Sequence, residues 1–248
     1  MTLDPDLAAL RPLGGFFALH TQAEGSPGPA GVLPTLARAY REPADSASPR
    51  APDDPLTSRV RAVVRALRAP EDRIGASVAH QGLAARLWSV ALGCAALYGS
   101  VPDLAPELLR WDPDGSAPDD LWLTRVRARP GNAATVAQVV VDAHLEPLCA
   151  ALRARYRVAE GLLRGNAGSA LASTARLLEQ WAGAHGRPEV AARARGLTAD
   201  LFAHPYLADA GVLTGAAFRR RSCCLYYRAP GGGLCGDCCF TRPPCTSA

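Results

Sequence analysis

No lysine occurs anywhere in this chain: all 27 basic positions are arginine. That bias reads as a GC-rich coding sequence rather than a demand for guanidinium chemistry at each site. Aromatic residues are also scarce, 6% against 48% apolar overall, so a core must be built of Ala, Leu and Val. That composition suits closely packed helices better than a sheet-rich fold. Long apolar runs are missing too. The longest, Leu87 to Gly99, spans 13 residues, short of the roughly 20 needed to cross a hydrocarbon core, so it reads as a buried helix and no stable membrane insertion is expected. The start, "MTLDPDLAALRPLGG", carries acidic residues where a secretory signal is basic, and a cytoplasmic location is expected. There is no internal repeat, no G-x-x-x-x-G-K-S/T and no G-x-G-x-x-G after a strand, which removes support for solenoids and nucleotide loops. Histidines 20, 80, 144, 185 and 204 have no metal spacing among themselves. Pairs of carboxylates for acid-base work are not discernible either.

What the chain does have is unevenly placed. Residues 216–248 hold Arg219, Arg220, Arg221, Arg228 and Arg242 against Asp237 alone, and this accounts for the entire net charge of +4. A general nucleic-acid surface would spread its basic residues along a face or groove, so no nucleic-acid partner is expected. The placement favours a local need for positive charge beside something negative. Cysteine follows the same pattern: Cys94 and Cys149 stand alone in apolar helical stretches, while the other six of eight crowd into positions 223–245. In a reducing compartment such a cluster more often serves metal or redox chemistry than structural disulfides.

The pattern divides the chain into three parts. Residues 1–56 look irregular, and "AEGSPGPAG" and "EPADSASPRAPDDP" have the composition of linkers. Residues 57–215 form a mainly helical body. Helices are expected with Val60, Val63, Val64 and Leu67 on one face, then over Ser77–Tyr98, over Ala133–Glu146 with a restart at Pro147, and over Glu189–Asp200. Between Pro106 and Arg129, "ELLRW" and "LWLTRVR" flank turn residues and predict a short β-hairpin. In "EGLLRGNAGSALA", Gly161, Gly165, Gly168 and Ser169 place small residues on one helical face, where another helix can approach closely. Asn166 lies among them, with an amide available to a neighbouring backbone or a ligand. His80 and Gln81 open the long helix and are read as a solvated helix start.

Residues 216–248 form a cysteine-rich lobe. The spacing is Cys223, Cys224, ten residues, Cys235, two residues, Cys238, with Cys239 and Cys245 outside that frame. Four thiolates from two chain positions can surround one metal centre, and a C-x-x-C pair turns both sulfurs to one side, as in zinc and iron-sulfur loops. Adjacent cysteines diverge in regular backbone, so a two-iron rhombus is an easier shared target than a single zinc ion. The arginines, and amides made accessible by Gly231, Gly232 and Gly233, suit a cluster that grows more negative on reduction. Leu225, Tyr226 and Tyr227 are placed to shield it.

At these residues the sequence resembles a known family: "RRRSCCLYYRAPGGGLCGDC" is similar to the C-terminal signature of the FhuF-like ferric siderophore reductases, with the C-C-x10-C-x2-C spacing intact. The resemblance implies a 2Fe-2S cluster held by Cys223, Cys224, Cys235 and Cys238. It also implies one-electron reduction of Fe(III) carried by an imported siderophore, commonly of hydroxamate type, with an electron donor the sequence does not identify. Upstream, "HLEPLCAALRARYRVAEGLLRGNAGSALA" is similar to the family's helical region, with Arg164 where its L-L-W-G-N pattern has Trp. Arg221 and Arg228 are the nearest candidates for orienting a substrate. A zinc-stabilised binding module and a non-redox siderophore-binding protein are the alternatives.

Overall fold

The structure, a computed structural model, describes residues 3–4, 7–22, 32–41, 54–242 and 244. Of the two linker-like stretches, all of 23–31 and residues 42–53 of 42–55 lie outside the described residues, as does Cys245; Asp54 and Pro55 open a helix. What is described of the first fifty-six residues is more ordered than its composition promised. A 3-10 turn (Ala8–Leu13), a two-residue strand β1 (His20–Thr21) and a short helix α1 (Leu36–Tyr40) carry Leu7, Leu10, Phe17, Leu19, Leu36 and Ala39 into the core. These apolar residues fall in short runs between prolines and glycines, too brief to show a sustained period. Burial, at about 1.5–3 kcal/mol for a fully buried large side chain, holds them together with the β1–β4 pairing and the bonds from Arg86 to the Gly15 and Phe16 carbonyls.

Helix α2 (Pro55–Leu67) opens with proline at its first position, where the missing N–H costs nothing, and the Asp54 carboxylate caps it by accepting from the Thr57 amide at 2.9 Å. Arg68, in the left-handed region, ends it. Helix α3 (Asp72–Tyr98) follows and is buried on nearly every face, as its lack of amphipathy requires. It is the central rod, packed on α2 and on two later helices, Glu160–Ala184 and Pro188–Phe202. Gly75 lets α2 in: a Cβ there would stand 2.3 Å from Val64 Cγ2 and 3.1 Å from the Val60 carbonyl.

After α3, strands β2 (Ser100–Pro102) and β5 (Ala128–Pro130) pair antiparallel around an inner antiparallel pair, β3 (Leu109–Trp111) and β4 (Leu121–Leu123), with Leu109 opposite Leu123 and Trp111 opposite Leu121. This inner pair is the expected hairpin, and β1 adds to it in parallel. Buried Arg86 of α3 stitches this layer down. It donates to Asp120 Oδ1 at 2.8 Å and to the carbonyls of Gly15, Phe16 and Pro118.

The expected break at Pro147 is instead a change of helical pitch. Helix α4 (Ala133–Ala137) widens into a π-helical stretch, Gln138–Leu145, which runs on into α5 (Glu146–Tyr156). A wider turn just before proline relieves the clash of its ring with the preceding carbonyls without ending the rod. By length and hydropathy this rod, Ala133–Tyr156, resembles a membrane span, but most of its apolar stretch is buried within the protein, as in a core helix. Helix α6 (Glu160–Ala184) and helix α7 (Pro188–Phe202) complete the bundle. The fold is therefore mainly helical with small sheets. A last hairpin, β6 (Gly211–Thr214) and β7 (Ala217–Arg220), leads into the cysteine-rich segment.

Candidate metal centre

The stripe of small residues on α6 receives the cysteine lobe. A Cβ on Gly168 would stand 2.9 Å from Phe218 Cζ, and one on Gly165 would stand 2.5 Å from Ser222 Oγ and 3.2 Å from the Arg220 guanidinium. Alternation along β7 turns Phe218 and Arg220 inward and Arg219 outward. The hairpin thus lies directly on α6, where the sequence led us to expect another helix. Two buried polar contacts fasten the first pair of cysteines: Ser77 Oγ donates to the Cys224 carbonyl at 2.7 Å, and Asn166 Nδ2 donates to the Ser77 carbonyl at 2.8 Å. The second pair is held through Asp237, between Cys235 and Cys238. Its carboxylate accepts from Ser169 Oγ at 2.6 Å and from Arg176 at 3.3 Å, and its carbonyl accepts from the Arg220 amide at 3.0 Å.

All four cysteines of the spacing frame are brought into this lobe. Cys224 is buried and the other three are partly exposed. Cys224 Sγ and Cys235 Sγ are 3.7 Å apart, and Cys223 senses the charges of Cys238 and Cys239. Among the described residues no three His, Cys, Asp or Glu side chains converge as a single metal ion would need.

Backbone amides follow a regular rule around the sulfurs. The Leu225 amide donates to Cys223 Sγ at 3.3 Å and the Phe240 amide to Cys238 Sγ at 3.4 Å. The amides of Tyr226 and Asp237 likewise favour the thiolates of Cys224 and Cys235. Each of the four is thus served by the amide two residues on, whereas Cys239 has only its own amide. These donors come from the residues beside the cysteines rather than from the glycine loop. Gly231, at φ +74°, and Gly232, where a Cβ would stand 2.1 Å from the Tyr226 carbonyl, instead let the chain fold back tightly over Tyr226.

Electrostatics divide the thiols. The Cys235 thiol within reach of Cys224 pulls Cys224 down to about 7, while the same contact holds Cys235 up. Burial raises Cys223 and Cys239. Arg220 is the cation that acts on four of the five thiols, lowering Cys223, Cys224, Cys235 and Cys239. Its side chain donates to the Leu162 carbonyl at 3.2 Å, to Asn166 Oδ1 and to Gln81 Oε1 at 3.5 Å, all neutral acceptors, while its Nε has no partner. A buried guanidinium without a carboxylate is costly unless another anion stands nearby. Four thiolates around iron and sulfide form such an anion, so the residues present fit a 2Fe-2S cluster.

Residues 220–240 match the FhuF 2Fe-2S C-terminal domain. The matched stretch runs from Arg220 to Phe240 and encloses the four cysteines of the frame together with the four amides that serve their sulfurs. No curated protein matches the chain. The FhuF match and the gathered thiols fit a 2Fe-2S cluster, and the lobe is consistent with a FhuF-like iron-sulfur protein related to siderophores.

The remaining candidates lie further out. Arg221 pairs with Asp209 at 2.8 Å on the surface, and Arg228 pairs with Glu71 at 2.7 Å. Arg164, at the place of the family's Trp, lies 5.2 Å from the Tyr206 ring centroid and pairs with Glu160. Cys94 and Cys149 are buried in the helices, and burial raises both. His80 corrects the reading of a solvated helix start: it is fully buried, neither ring nitrogen has a partner, and burial with the nearby Arg220 charge pushes it down to about 3. Ser77, Asn166, Arg220 and Asp237 are the structural supports of the lobe, and sequence reasoning assigned no individual role to Ser77, Arg220 or Asp237. Of these, only Asn166 gave a signal, as an amide among small residues, and it is spent on a neighbouring backbone and a side chain. A cavity of about 290 Å³, lined by Ala172, Arg176, Arg195, Thr198 and Leu213, opens between α6, α7 and β6. Arg176 reaches from it to Asp237.

Proposed function

We propose that this protein is a cytoplasmic ferric siderophore reductase whose 2Fe-2S cluster is held by Cys223, Cys224, Cys235 and Cys238. The observation that carries this reading is a set of thiols matching the FhuF cluster domain, with Cys224 buried and Cys223, Cys235 and Cys238 partly exposed. When bound, such a cluster supplies one electron at a time. Hard hydroxamate oxygens hold Fe(III) far more tightly than Fe(II), so one electron delivered to the bound iron loosens the complex. No bond to the siderophore has to be broken by acid-base chemistry.

The chain's own residues then have three tasks. Ser77, Asn166 and Asp237 hold the two cysteine segments in a fixed position against α3 and α6. Leu225 packs against the core and Tyr227 meets Phe240 edge to face at 5.9 Å, which gives the cysteine segments apolar neighbours. The arginines of the lobe surface, Arg221 and Arg228, are the candidates to orient the siderophore, and the helical body 57–215 provides the docking face. The electron donor is a separate reductant.

The test is anaerobic. Protein reduced with dithionite and freed of excess reductant is mixed with a ferric hydroxamate siderophore in the presence of a ferrous chelator. Rapid reoxidation with stoichiometric capture of Fe(II) is expected. Reduced protein that ignores several ferric siderophores but exchanges electrons with redox proteins would overturn the substrate class. Colourless protein with stoichiometric zinc and no sulfide would instead support the binding module.

A further inference from the structure

The buried side of the lobe carries an imbalance that cysteine ligation alone does not explain. Arg220 is 2% exposed, yet every acceptor its side chain reaches is a neutral amide or carbonyl, and its Nε donates to nothing. Beside it, fully buried His80 has no partner on either nitrogen and, held neutral, offers no counter-charge. The one carboxylate of residues 216–248, Asp237, is already engaged by Ser169 and Arg176, and Asp209 pairs with Arg221. A cation taken out of water without a counter-ion costs several kcal/mol, and natural folds seldom keep one.

We propose that Arg220 is the dedicated counter-cation of the lobe's metal centre, the residue that sets its reduction potential and makes the seating of the lobe on α3 and α6 depend on the centre's charge. The inference rests on the cluster reading above. The geometry supports it from two sides. The Arg220 backbone amide is bonded to Asp237 inside the C-x-x-C segment, so the guanidinium and the second pair of cysteines move together. Its guanidinium is bonded to Asn166 Oδ1, and the amide nitrogen of the same Asn166 holds Ser77, which holds Cys224. One charge therefore sits where both ligand segments and both helices meet. Of the surface arginines of the lobe, Arg221 and Arg228 are spent on Asp209 and Glu71, and exposed Arg219 donates to the Cys239 carbonyl at 3.2 Å.

Adding an electron to a centre of net negative charge is easier beside a desolvated cation, because the attraction is only weakly screened there. Without that cation the reduction equilibrium constant should fall about tenfold or more, and tenfold is about 59 mV for a one-electron couple. The experiment measures the midpoint potential and the thermal unfolding of metal-loaded and metal-free protein for the wild type, Arg220→Gln, Arg220→Lys and Asn166→Asp. Iron and sulfide content is determined in each. Arg220→Gln should lower the potential and shrink the gain in melting temperature on loading. Arg220→Lys should keep most of both. Asn166→Asp is nearly isosteric and gives the guanidinium a carboxylate, which should lower the potential as well. Because it also removes the donor to Ser77, Ser77→Ala is measured beside it; this variant loses the Cys224 bond, keeps Arg220 with neutral partners and should shift the potential less. Loaded protein whose potential stays at the wild-type value in both Arg220→Gln and Asn166→Asp overturns the role of Arg220 alone. If Arg220→Gln does not fold, Asn166→Asp and Arg220→Lys still decide the matter. Wild-type protein that never acquires iron and sulfide overturns the cluster reading with it.

Discussion

Two buried arginines, Arg86 in the helical body and Arg220 beneath the lobe, are equally hidden from water and differently satisfied. Arg86 meets Asp120 at 2.8 Å and three backbone carbonyls. Arg220 meets no carboxylate among the described residues. The two buried histidines repeat the contrast. His144 accepts from the Tyr40 hydroxyl at 2.7 Å through Nδ1 and donates to the Leu104 carbonyl at 2.5 Å through Nε2, whereas His80 has no partner at all. In the body this arginine and this histidine are satisfied by protein groups, although the indole N–H groups of Trp88 and Trp181 are not. Under the lobe Arg220 lacks a carboxylate and His80 lacks any partner, as expected where the missing partner is not a side chain.

The comparison can be broken most forcefully in the body. Asp120→Ala strands the Arg86 charge and should destabilise the protein by about 3–5 kcal/mol, while replacing both Asp120 and Arg86 by apolar residues of similar size should recover much of that loss. Denaturant unfolding of the single and double variants checks this. Equal losses in the two would mean that the ion pair is worth more than its removal, contrary to the account.

Legibility in the sequence followed the range of the interactions. The four cysteines were readable because their spacing is written in some fifteen residues of chain, and so were the long helices and the β3–β4 hairpin, whose periodicity is local. The start of α3 lies before the expected Ser77, at Asp72, because Glu71 and Asp72 are polar and the apolar pattern begins only at Ile74. The π stretch before Pro147 was invisible, since eight residues do not distinguish one helical pitch from another by hydropathy. Arg220 was hidden among five basic residues of the lobe. Its partner Asn166 lies 54 residues away and Ser77 lies 147 residues from Cys224, so only the folded chain brings them together. Leu10 and Phe17 were hidden for the same reason: the contact with Gly93 that needs them is not local.

A smaller effect is expected from acid. Burial lowers His144 to about 4 from an unfolded value near 6.5. Between those two values the unfolded chain binds a proton that the folded one refuses. Stability should therefore be flat above about pH 7 and fall as the pH drops through that window. His144→Gln should make the decline shallower in unfolding experiments at pH 7.5 and pH 5. An unchanged slope would mean that His144 is already paired with the proton it was expected to reject.

The smallest effect belongs to the surface of the lobe. Arg228 is about one third exposed and already paired with Glu71, so Arg228→Gln should cost no more than about 1 kcal/mol. It should also shift the midpoint potential far less than Arg220→Gln. A larger shift from Arg228 would move the controlling cation from the buried side of the lobe to its surface.

The central claim is the identity of the centre and of its ligands, and one measurement reaches it most directly: iron, acid-labile sulfide and EPR on anaerobically purified wild type beside the single Cys→Ser variants at 94, 149, 223, 224, 235, 238 and 239. The account predicts about two irons and two sulfides per chain, EPR-silent until one-electron reduction. The spectrum should be lost or altered in Cys223, Cys224, Cys235 and Cys238 variants and kept in those of Cys94, Cys149 and Cys239. Zinc without sulfide, or an unaltered cluster in Cys224→Ser, would contradict it.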